Sequence, residues 1–235
     1  MLHTVLKTAF ISTAFVLLAG VVSAGPITVP NGNFNTNDDT EVNFIDGWSE
    51  SETKNWQIRQ MDGVVDKDPT DFVVRMHYRN TEGHIEVATG ENYSSSALKY
   101  VMTFEARAFD DNTFTVAPAE GIRVAGEGAN WGVIFKDITN DGDIKNWDSS
   151  GTLIAEGNAW DVKTFELSQA EIAAYASDNG FNVDDLEIGI RFWKDINTAH
   201  MLALDNVTLE EVVPEPASLA LLGLGALAVV GRRRK

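Results

Sequence analysis

The sequence contains no cysteine and only four histidines, and its 18 lysines and arginines are outnumbered by 35 aspartates and glutamates. Without cysteine the chain can form no disulfide bond, no thiolate nucleophile and no cysteine-ligated zinc or iron–sulfur site. The formal net charge is 18 − 35 = −17. Because duplex binding relies on lysine and arginine to neutralise phosphates, so acidic a chain is unsuited to nucleic acid.

The first 24 residues have the pattern of a secretory signal peptide. Lys7 supplies a positive charge, residues 9–22 form an apolar run, and residues 22–24 (VSA) offer the small-residue site at which signal peptidase cuts. The run is shorter than the roughly 20 residues of a membrane-spanning helix, which argues against a permanent N-terminal anchor. We therefore predict export, with signal peptidase as a partner and a mature chain that begins at Gly25.

The C-terminal end carries a second targeting pattern. Pro214, Glu215 and Pro216 precede an uncharged stretch at residues 217–231, and four cations follow at residues 232–235. This order resembles the PEP-CTERM sorting tail of bacterial exported proteins. The resemblance implies recognition by an exosortase-type membrane protease, cleavage near Pro-Glu-Pro, transient anchoring by the C-terminal helix, and delivery to the cell surface or an extracellular matrix.

Between the two signals, residues 25–213 form one strongly acidic segment. The 18 cations less five in the signals leave 13, and the 35 acids less Glu215 leave 34, which gives a net charge of −21. A chain of this length buries about 70% of its unfolded surface, so it folds without disulfides. Because the segment has no internal repeat and no proline-rich linker, we predict a single domain.

Alternating apolar and polar residues predict strands through most of this domain. Seven segments follow the pattern: 72–79, 85–87, 100–108, 131–135, 160–167, 186–193 and 201–209. Half-buried strands separated by Gly, Asn and Asp turns are typical of an all-β, two-sheet antiparallel β-sandwich. A capping box at residues 168–171 (SQAE) and a stop at Asn179-Gly180 add one short helix to the prediction.

Several short motifs extend this prediction to a fold family. They are residues 29–34 (VPNGNF), 46–48 (DGW), 100–108, 160–167 and 202–209 (LALDNVTL). Together they resemble the galactose-binding-like jelly roll of carbohydrate-binding modules. That resemblance implies a jelly-roll sandwich, a polysaccharide partner, and a structural Ca²⁺ shared by the first and last strands.

The closing motif bears on this calcium. The resemblance implies Asp205 as a ligand, whereas Asn35 stands where the family more often has Glu, and an amide oxygen binds Ca²⁺ without adding a charge. The apolar alternation changes phase at Asp205-Asn206, as a β-bulge would produce. Two interpretations therefore stand: a calcium site, or a bulge with ordinary hydrogen bonds.

A second calcium candidate is the acidic loop at residues 137–148. Asp137, Thr139, Asp141 and Asp148 offer oxygen atoms at positions 1, 3, 5 and 12 of a twelve-residue loop, with Gly142 at position 6. Position 12 is Asp where a bidentate Glu is usual, and no helical pattern flanks the loop. The alternative is a hairpin turn, because Asp-Gly is common in such turns.

The polar sides of the long strands suggest a ligand surface. If these strands share a sheet, their outward residues include Arg75, His77, Arg107, Arg191 and Trp193. Tryptophan stacks on sugar rings, and arginine binds hydroxyls or carboxylates, which favours an anionic sugar. The alternative is a solvated sheet face with weak cross-strand ion pairs.

The sequence offers little support for an enzyme. Gly-x-Ser-x-Gly, His-Glu-x-x-His and Gly-x-x-x-x-Gly-Lys motifs are absent. A polysaccharide lyase or hydrolase is the weaker alternative, with His77 as base and arginines as carboxylate neutralisers. We therefore predict a non-catalytic exported protein that binds polysaccharide, and an acidic calcium-binding matrix protein without sugar recognition is the main alternative.

Overall fold

The computed structural model describes residues 23–35, 45–51, 56–60, 72–76, 83–109, 122–124, 131–146, 152–154, 160–194 and 201–214. Thirteen strands lie within these ranges: β1 Ser23–Ile27, β2 Ser49–Glu50, β3 Trp56–Gln60, β4 Phe72–Met76, β5 Gly83–Asn92, β6 Lys99–Phe109, β7 Ile122–Val124, β8 Trp131–Asp137, β9 Gly142–Asn146, β10 Thr152–Ile154, β11 Asp161–Ser168, β12 Glu187–Lys194 and β13 Met201–Val213. One α-helix, α1, spans Gln169–Asn179, and a 3₁₀ turn follows at Val183–Asp185.

The strands form two sheets. The first sheet has the order β11-β6-β13-β4-β3, with β1 also paired to β13, and the second has the order β10-β7-β8-β12-β5-β2, with β9 also paired to β8. Every pairing is antiparallel except the short parallel contact of β7 with β8. The expected two-sheet antiparallel β-sandwich with one short helix is confirmed.

Aromatic side chains from both sheets fill the space between them. Phe104 of β6 stacks on Phe165 of β11 at a centroid distance of 5.2 Å, and it meets Phe192 of β12 edge to face at 5.1 Å. Aromatic pairs in these two arrangements add to the free energy gained by burying apolar area. Because each of the three rings is almost completely buried, this cluster joins the two sheets at the centre of the core.

The predicted irregularity in the last strand is present. The register of β13 against β6 shifts between Asp205 and Thr208, and Asn206 has a positive φ of 51°. This bulge lets Leu204 and Leu209 both face the core although they are an odd number of residues apart. The Val207 N–H donates to the Gly32 carbonyl at 2.8 Å, so the bulge lies against the opening loop of the domain.

The helix begins and ends as its sequence predicts. The Ser168 hydroxyl accepts from the Glu171 N–H, and the Glu171 carboxylate accepts from the Ser168 N–H at 2.8 Å, which completes the capping box. Gly180 closes the helix in the left-handed conformation at φ 73°. Ile172 and Ala176 are the buried side chains of α1 and pack into the core.

The two predicted targeting signals lie outside the described residues, apart from their ends at Ser23, Ala24 and Pro214. Residues Ser23–Val213 form one compact unit. No helix in the described part of the chain has the length and apolar character that crossing a membrane requires. The signal peptide and the apolar tail helix therefore stay sequence predictions.

We expect Gly180→Ala to destabilise the domain by about 1 kcal/mol, because a Cβ disfavours the left-handed conformation that ends α1. Gly180→Asn is the matched variant, since asparagine tolerates this conformation better. Urea unfolding of residues 25–213 measures both. Equal losses for Ala and Asn would contradict the conformational explanation.

Candidate functional site

The structure separates residues that the sequence analysis placed on one polar face. Arg75 lies in β4 and Arg107 in β6, both in the first sheet, whereas Arg191 and Trp193 lie in β12 of the second sheet. The expectation that Arg75 and Arg107 share a face with Arg191 and Trp193 is therefore wrong. Arg107 is also buried, with 1% of its surface exposed. Alternation predicts which side of a strand a residue occupies but not which sheet the strand joins. His77 lies outside the described residues.

The outward side of the second sheet carries the remaining candidates. In β12, Ile188, Ile190 and Phe192 face the core, so Arg191 and Trp193 point away from it. Register pairs continue this face across three strands, in two rows: Gly132, Trp193 and His84, then Ile134, Arg191 and Glu86. We call this surface, together with Lys136 of β8 and Asp141, Asp143 and Asn146 of the β8–β9 hairpin, the Trp193 face.

The Trp193 indole packs over its neighbour in β8, and the space it occupies is open because that neighbour is glycine. A Cβ built on Gly132 would lie 2.5 Å from the indole Cε2 and Nε1 atoms, a distance that real Cβ atoms do not adopt. The indole Nε1 is 3.5 Å from the Asn146 side-chain oxygen, which orients the ring. The partly exposed indole therefore forms an apolar platform on the sheet, held between Gly132 and a polar neighbour.

A buried ammonium group lies on the same face. Lys136 has 1% of its side chain exposed, and its Nζ is 2.6 Å from Asp141 Oδ1, 3.2 Å from Asp143 Oδ1 and 4.0 Å from Glu86 Oε2. A charge removed from water is costly unless carboxylates or other polar groups surround it. These three carboxylates supply that environment, so Lys136 holds the hairpin turn against the sheet.

Arg191 joins the same network. Its Nε donates to Glu86 Oε2 at 2.7 Å, and its Nη2 donates to Asp141 Oδ1 at 3.3 Å. The hydrogen bond and charge of Lys136, followed by the charge of Arg191, lower the pKa of Asp141. Because two cations meet three carboxylates here, both cations are already paired.

His84 lies beside Trp193 on β5, as their register pairing shows. Burial lowers its pKa, and the neighbouring positive charge of Arg191 lowers it further. The imidazole is therefore mainly neutral at neutral pH and offers one hydrogen-bond donor and one acceptor on the Trp193 face. This combination suits hydroxyl groups, which also donate and accept.

The acidic loop at residues 137–148 begins as a hairpin that links β8 and β9. Asp137 is fully buried, and its carboxylate accepts from the Asn140 side chain at 2.6 Å and from the Tyr175 hydroxyl at 3.2 Å. Asp141, in contrast, binds Lys136 and Arg191 on the Trp193 face. Asp137 and Asp141 therefore bind different partners and do not share a ligand set in the structure. Asp148 lies outside the described residues.

The other predicted ligands lie near the β13 bulge. Asp205 is fully buried, and its Oδ1 accepts from the Asn206 N–H at 2.7 Å. Asn35 is exposed at the end of the opening loop, where its N–H donates to the Asn33 side chain at 3.4 Å. The bond between Val207 and Gly32 brings these two segments together. Among the described residues, no group of three or more His, Asp or Glu side chains is arranged to hold a metal ion.

Sequence reasoning missed much of the Trp193 face: Gly132, Lys136, Asp143, Asn146, His84 and Glu86. The signal was present in part, because His84 and Glu86 alternate with Ile85 and Val87 in a segment recognised as a short strand. The proximity of Lys136 to these residues was not visible, since it depends on which strands are neighbours.

One further carboxyl group has an unusual pKa. Burial raises the pKa of Glu50, in the edge strand β2, from 4.5 to about 7. Glu50 pairs with the core-facing Ile85 of β5, so it lies on the opposite side of the sheet from the Trp193 face. It therefore contributes to the pH dependence of stability rather than to that face.

Comparison with known proteins supports the tail and the fold. Residues 212–235 match the PEP-CTERM protein-sorting motif, which confirms the expected sorting tail. No curated protein sequence matches the chain.

Solved structures with a similar fold include an apo cyclase from Fischerella sp., with 13% identity and a TM-score of 0.52 over 83% of this chain and 99% of that one. An arabinose-bound MgGH51 α-L-arabinofuranosidase has 9% identity and a TM-score of 0.52 over 78% of this chain and 26% of that one. A family 11 carbohydrate-binding module from Clostridium thermocellum, bound to a mixed-linked tetrasaccharide, has 19% identity and a TM-score of 0.37 over 74% and 92%. At these identities the likeness concerns the fold alone.

We expect Glu50→Gln to change how stability depends on pH. The folded chain keeps the Glu50 proton up to about pH 7, whereas the unfolded carboxyl releases it near 4.5. The contribution of Glu50 to the free energy of unfolding is thus fully present below pH 4.5, and it is lost as the pH rises through 7. Thermal unfolding at pH 4.5 and at pH 8 measures the stability of Glu50→Gln relative to the native chain. This relative stability should be higher at pH 8.

Glu91→Gln is the control for this prediction, because Glu91 is an exposed residue of the neighbouring strand β5. A pH dependence of unfolding that is unaltered by Glu50→Gln would show that Glu50 does not titrate in this range.

Proposed function

We propose that this protein is exported and binds a neutral polysaccharide through the Trp193 face without chemically altering it. The observation that carries the proposal is the partly exposed Trp193 indole, which packs over Gly132 on the outward side of the second sheet. A sugar ring stacks its C–H face on an indole while its hydroxyls bond to polar groups around the edge. The Asn146 side-chain oxygen is 3.5 Å from the indole Nε1, and His84 lies on the same face in β5.

The charges of the Trp193 face favour a neutral sugar over an anionic one. Lys136 and Arg191 are both paired with carboxylates, and Glu86, Asp141 and Asp143 outnumber them. The domain as a whole is also strongly acidic. A uronic-acid polymer would meet like charges in this region, and repulsion between like charges disfavours binding. The anionic sugar that the arginines suggested in the sequence is therefore replaced by a neutral one.

We infer that the chain is sorted through its C-terminal motif. The match at residues 212–235 supports processing by an exosortase-type protease after transient anchoring in the membrane. A polysaccharide-binding domain released in this way would act at the cell surface or in an extracellular matrix.

Catalysis has weaker support from the described site. The carboxylates of the Trp193 face are bound to Lys136 or Arg191, and a general acid needs a pKa raised toward neutrality instead. Within the described ranges the carboxyl group with that property is Glu50, which lies on the other side of its sheet. The fold itself is compatible with either role, because similar structures include enzymes.

We expect Trp193→Ala to weaken polysaccharide binding about thirtyfold, since losing a central aromatic contact costs about 2 kcal/mol. Gly132→Ala keeps the Trp193 indole but should also weaken binding, because the new Cβ displaces the indole from its position on the sheet. Affinity electrophoresis against a panel of neutral and uronic-acid polysaccharides measures both variants.

The control is Val162→Ala on β11, an exposed residue of the first sheet. Binding that survives both face variants would place the ligand elsewhere. Release of new reducing ends or unsaturated products would instead establish a hydrolase or lyase, and absence of binding to every polymer would favour the matrix-protein alternative.

We also propose a structural Ca²⁺ at the junction of the opening loop with the β13 bulge. The buried Asp205 carboxylate, the Asn35 amide and nearby backbone carbonyls are the hard oxygen donors that Ca²⁺ accepts. The hydrogen bond from Val207 to Gly32 keeps the two segments adjacent.

Calcium at saturating concentration should raise the unfolding temperature of the native domain, since about 2.7 kcal/mol is gained at a hundredfold excess over Kd. Asp205→Asn should reduce this gain, whereas Asp141→Asn should keep it. Comparison of thermal unfolding in calcium and in EDTA measures the effect. A gain lost only in Asp141→Asn would assign calcium to the β8–β9 hairpin, and no gain would exclude a stabilising calcium site.

A further inference from the structure

The side chains of the β8–β9 hairpin point to two opposite sides of the second sheet. Successive residues of a strand alternate between these sides. In β8, Phe135 faces the core, so Lys136 points outward to the Trp193 face and Asp137 points to the core side. Asp137 is fully buried there.

The register of β9 divides its residues in the same way. Asn146 pairs with an outward residue of β8 and belongs to the Trp193 face. Lys145 pairs with Phe135, and Gly142 pairs with Asp137, so both are on the core side. The hairpin thus presents one set of residues to a ligand and another to the rest of the domain.

Helix α1 contacts the core side of the hairpin at two points. The Tyr175 hydroxyl donates to the Asp137 carboxylate at 3.2 Å, and Glu171 Oε1 is 2.8 Å from Lys145 Nζ. Because Glu171 and Tyr175 are four residues apart, they lie on the same face of the helix. One helix face therefore holds both strands of the hairpin.

A glycine allows the helix to come this close. A Cβ built on Gly142 would overlap the Tyr175 hydroxyl oxygen, so a side chain here would push the helix and the hairpin apart. Burial, followed by the charge of Asp137, raises the pKa of Tyr175 to about 12. The hydroxyl therefore keeps its proton at neutral pH and donates to the buried carboxylate.

The outward residues of the same hairpin surround the proposed binding site. Asn146 follows Lys145 directly, and its side-chain oxygen is 3.5 Å from the Trp193 indole Nε1. Asp141 precedes Gly142 directly and binds both cations of the Trp193 face. A shift of the hairpin therefore moves the polar neighbour of the indole and the charge network together.

We propose that Glu171 and Tyr175 of α1 are positioning residues for the Trp193 face, on which they act through the hairpin and not by contact with a ligand. Holding the hairpin from the core side fixes where Asn146 and the carboxylates lie beside the indole. A site fixed in this way binds more tightly, because less ordering is required on binding. The proposal rests on the function proposed above, since it concerns polysaccharide affinity at the same face.

Two substitutions remove these contacts with little change of shape. Tyr175→Phe deletes the hydroxyl and keeps the ring. Glu171→Gln deletes the charge and keeps an oxygen that accepts from the Ser168 N–H in the capping box. Ala173→Gly is the matched control, because Ala173 is an exposed residue of α1 and glycine there weakens the helix itself.

Affinity electrophoresis against the neutral polysaccharides measures binding of the three variants. We expect Tyr175→Phe to weaken binding about threefold, less than the roughly fivefold that one direct hydrogen bond of ordinary net strength produces. Glu171→Gln should weaken it about twofold, because its ion pair is partly exposed. Ala173→Gly should bind as the native chain does. Equal weakening in all three variants would overturn the proposal, since helix stability alone would then explain the losses.

The indole N–H resonance of Trp193 gives a second measurement that needs no ligand. In the purified protein with isotope-labelled tryptophan, it is the resonance that Trp193→Phe removes. It should shift in Tyr175→Phe and keep its position in Ala173→Gly. An unshifted resonance in Tyr175→Phe would overturn the positioning role. If the native chain binds no polysaccharide, the proposed function fails, and the resonance by itself decides whether α1 positions the face.

Discussion

The contact between Phe104 and Phe192 across the sandwich is the constraint on which the rest of the structure depends. The two rings belong to different sheets and meet edge to face at 5.1 Å, so they hold the sheets together. Because Phe192 points into the core, its neighbours Arg191 and Trp193 must point outward. Core packing thus creates the outer face and determines which residues of β12 are available to a ligand.

Charge on that face is organised by a lysine that water hardly reaches. Lys136 needs Asp141 and Asp143 around its ammonium group, and Arg191 completes the network through Glu86. The cations are therefore used to position the hairpin and the sheet. The proposed polysaccharide would therefore meet an apolar indole and neutral polar groups on this face, in a domain whose net charge repels anions.

The sequence by itself determined seven of the thirteen strands in the described residues, the helix with its two caps, the irregularity at Asp205-Asn206 and the sorting tail. These features are local, since each depends on alternation, capping chemistry or motif order within a few residues. Only the tertiary structure decided the composition of the face. It separated Arg75 and Arg107 from Trp193 and brought Lys136 to the same surface, because sheet membership depends on pairings between strands far apart in the chain.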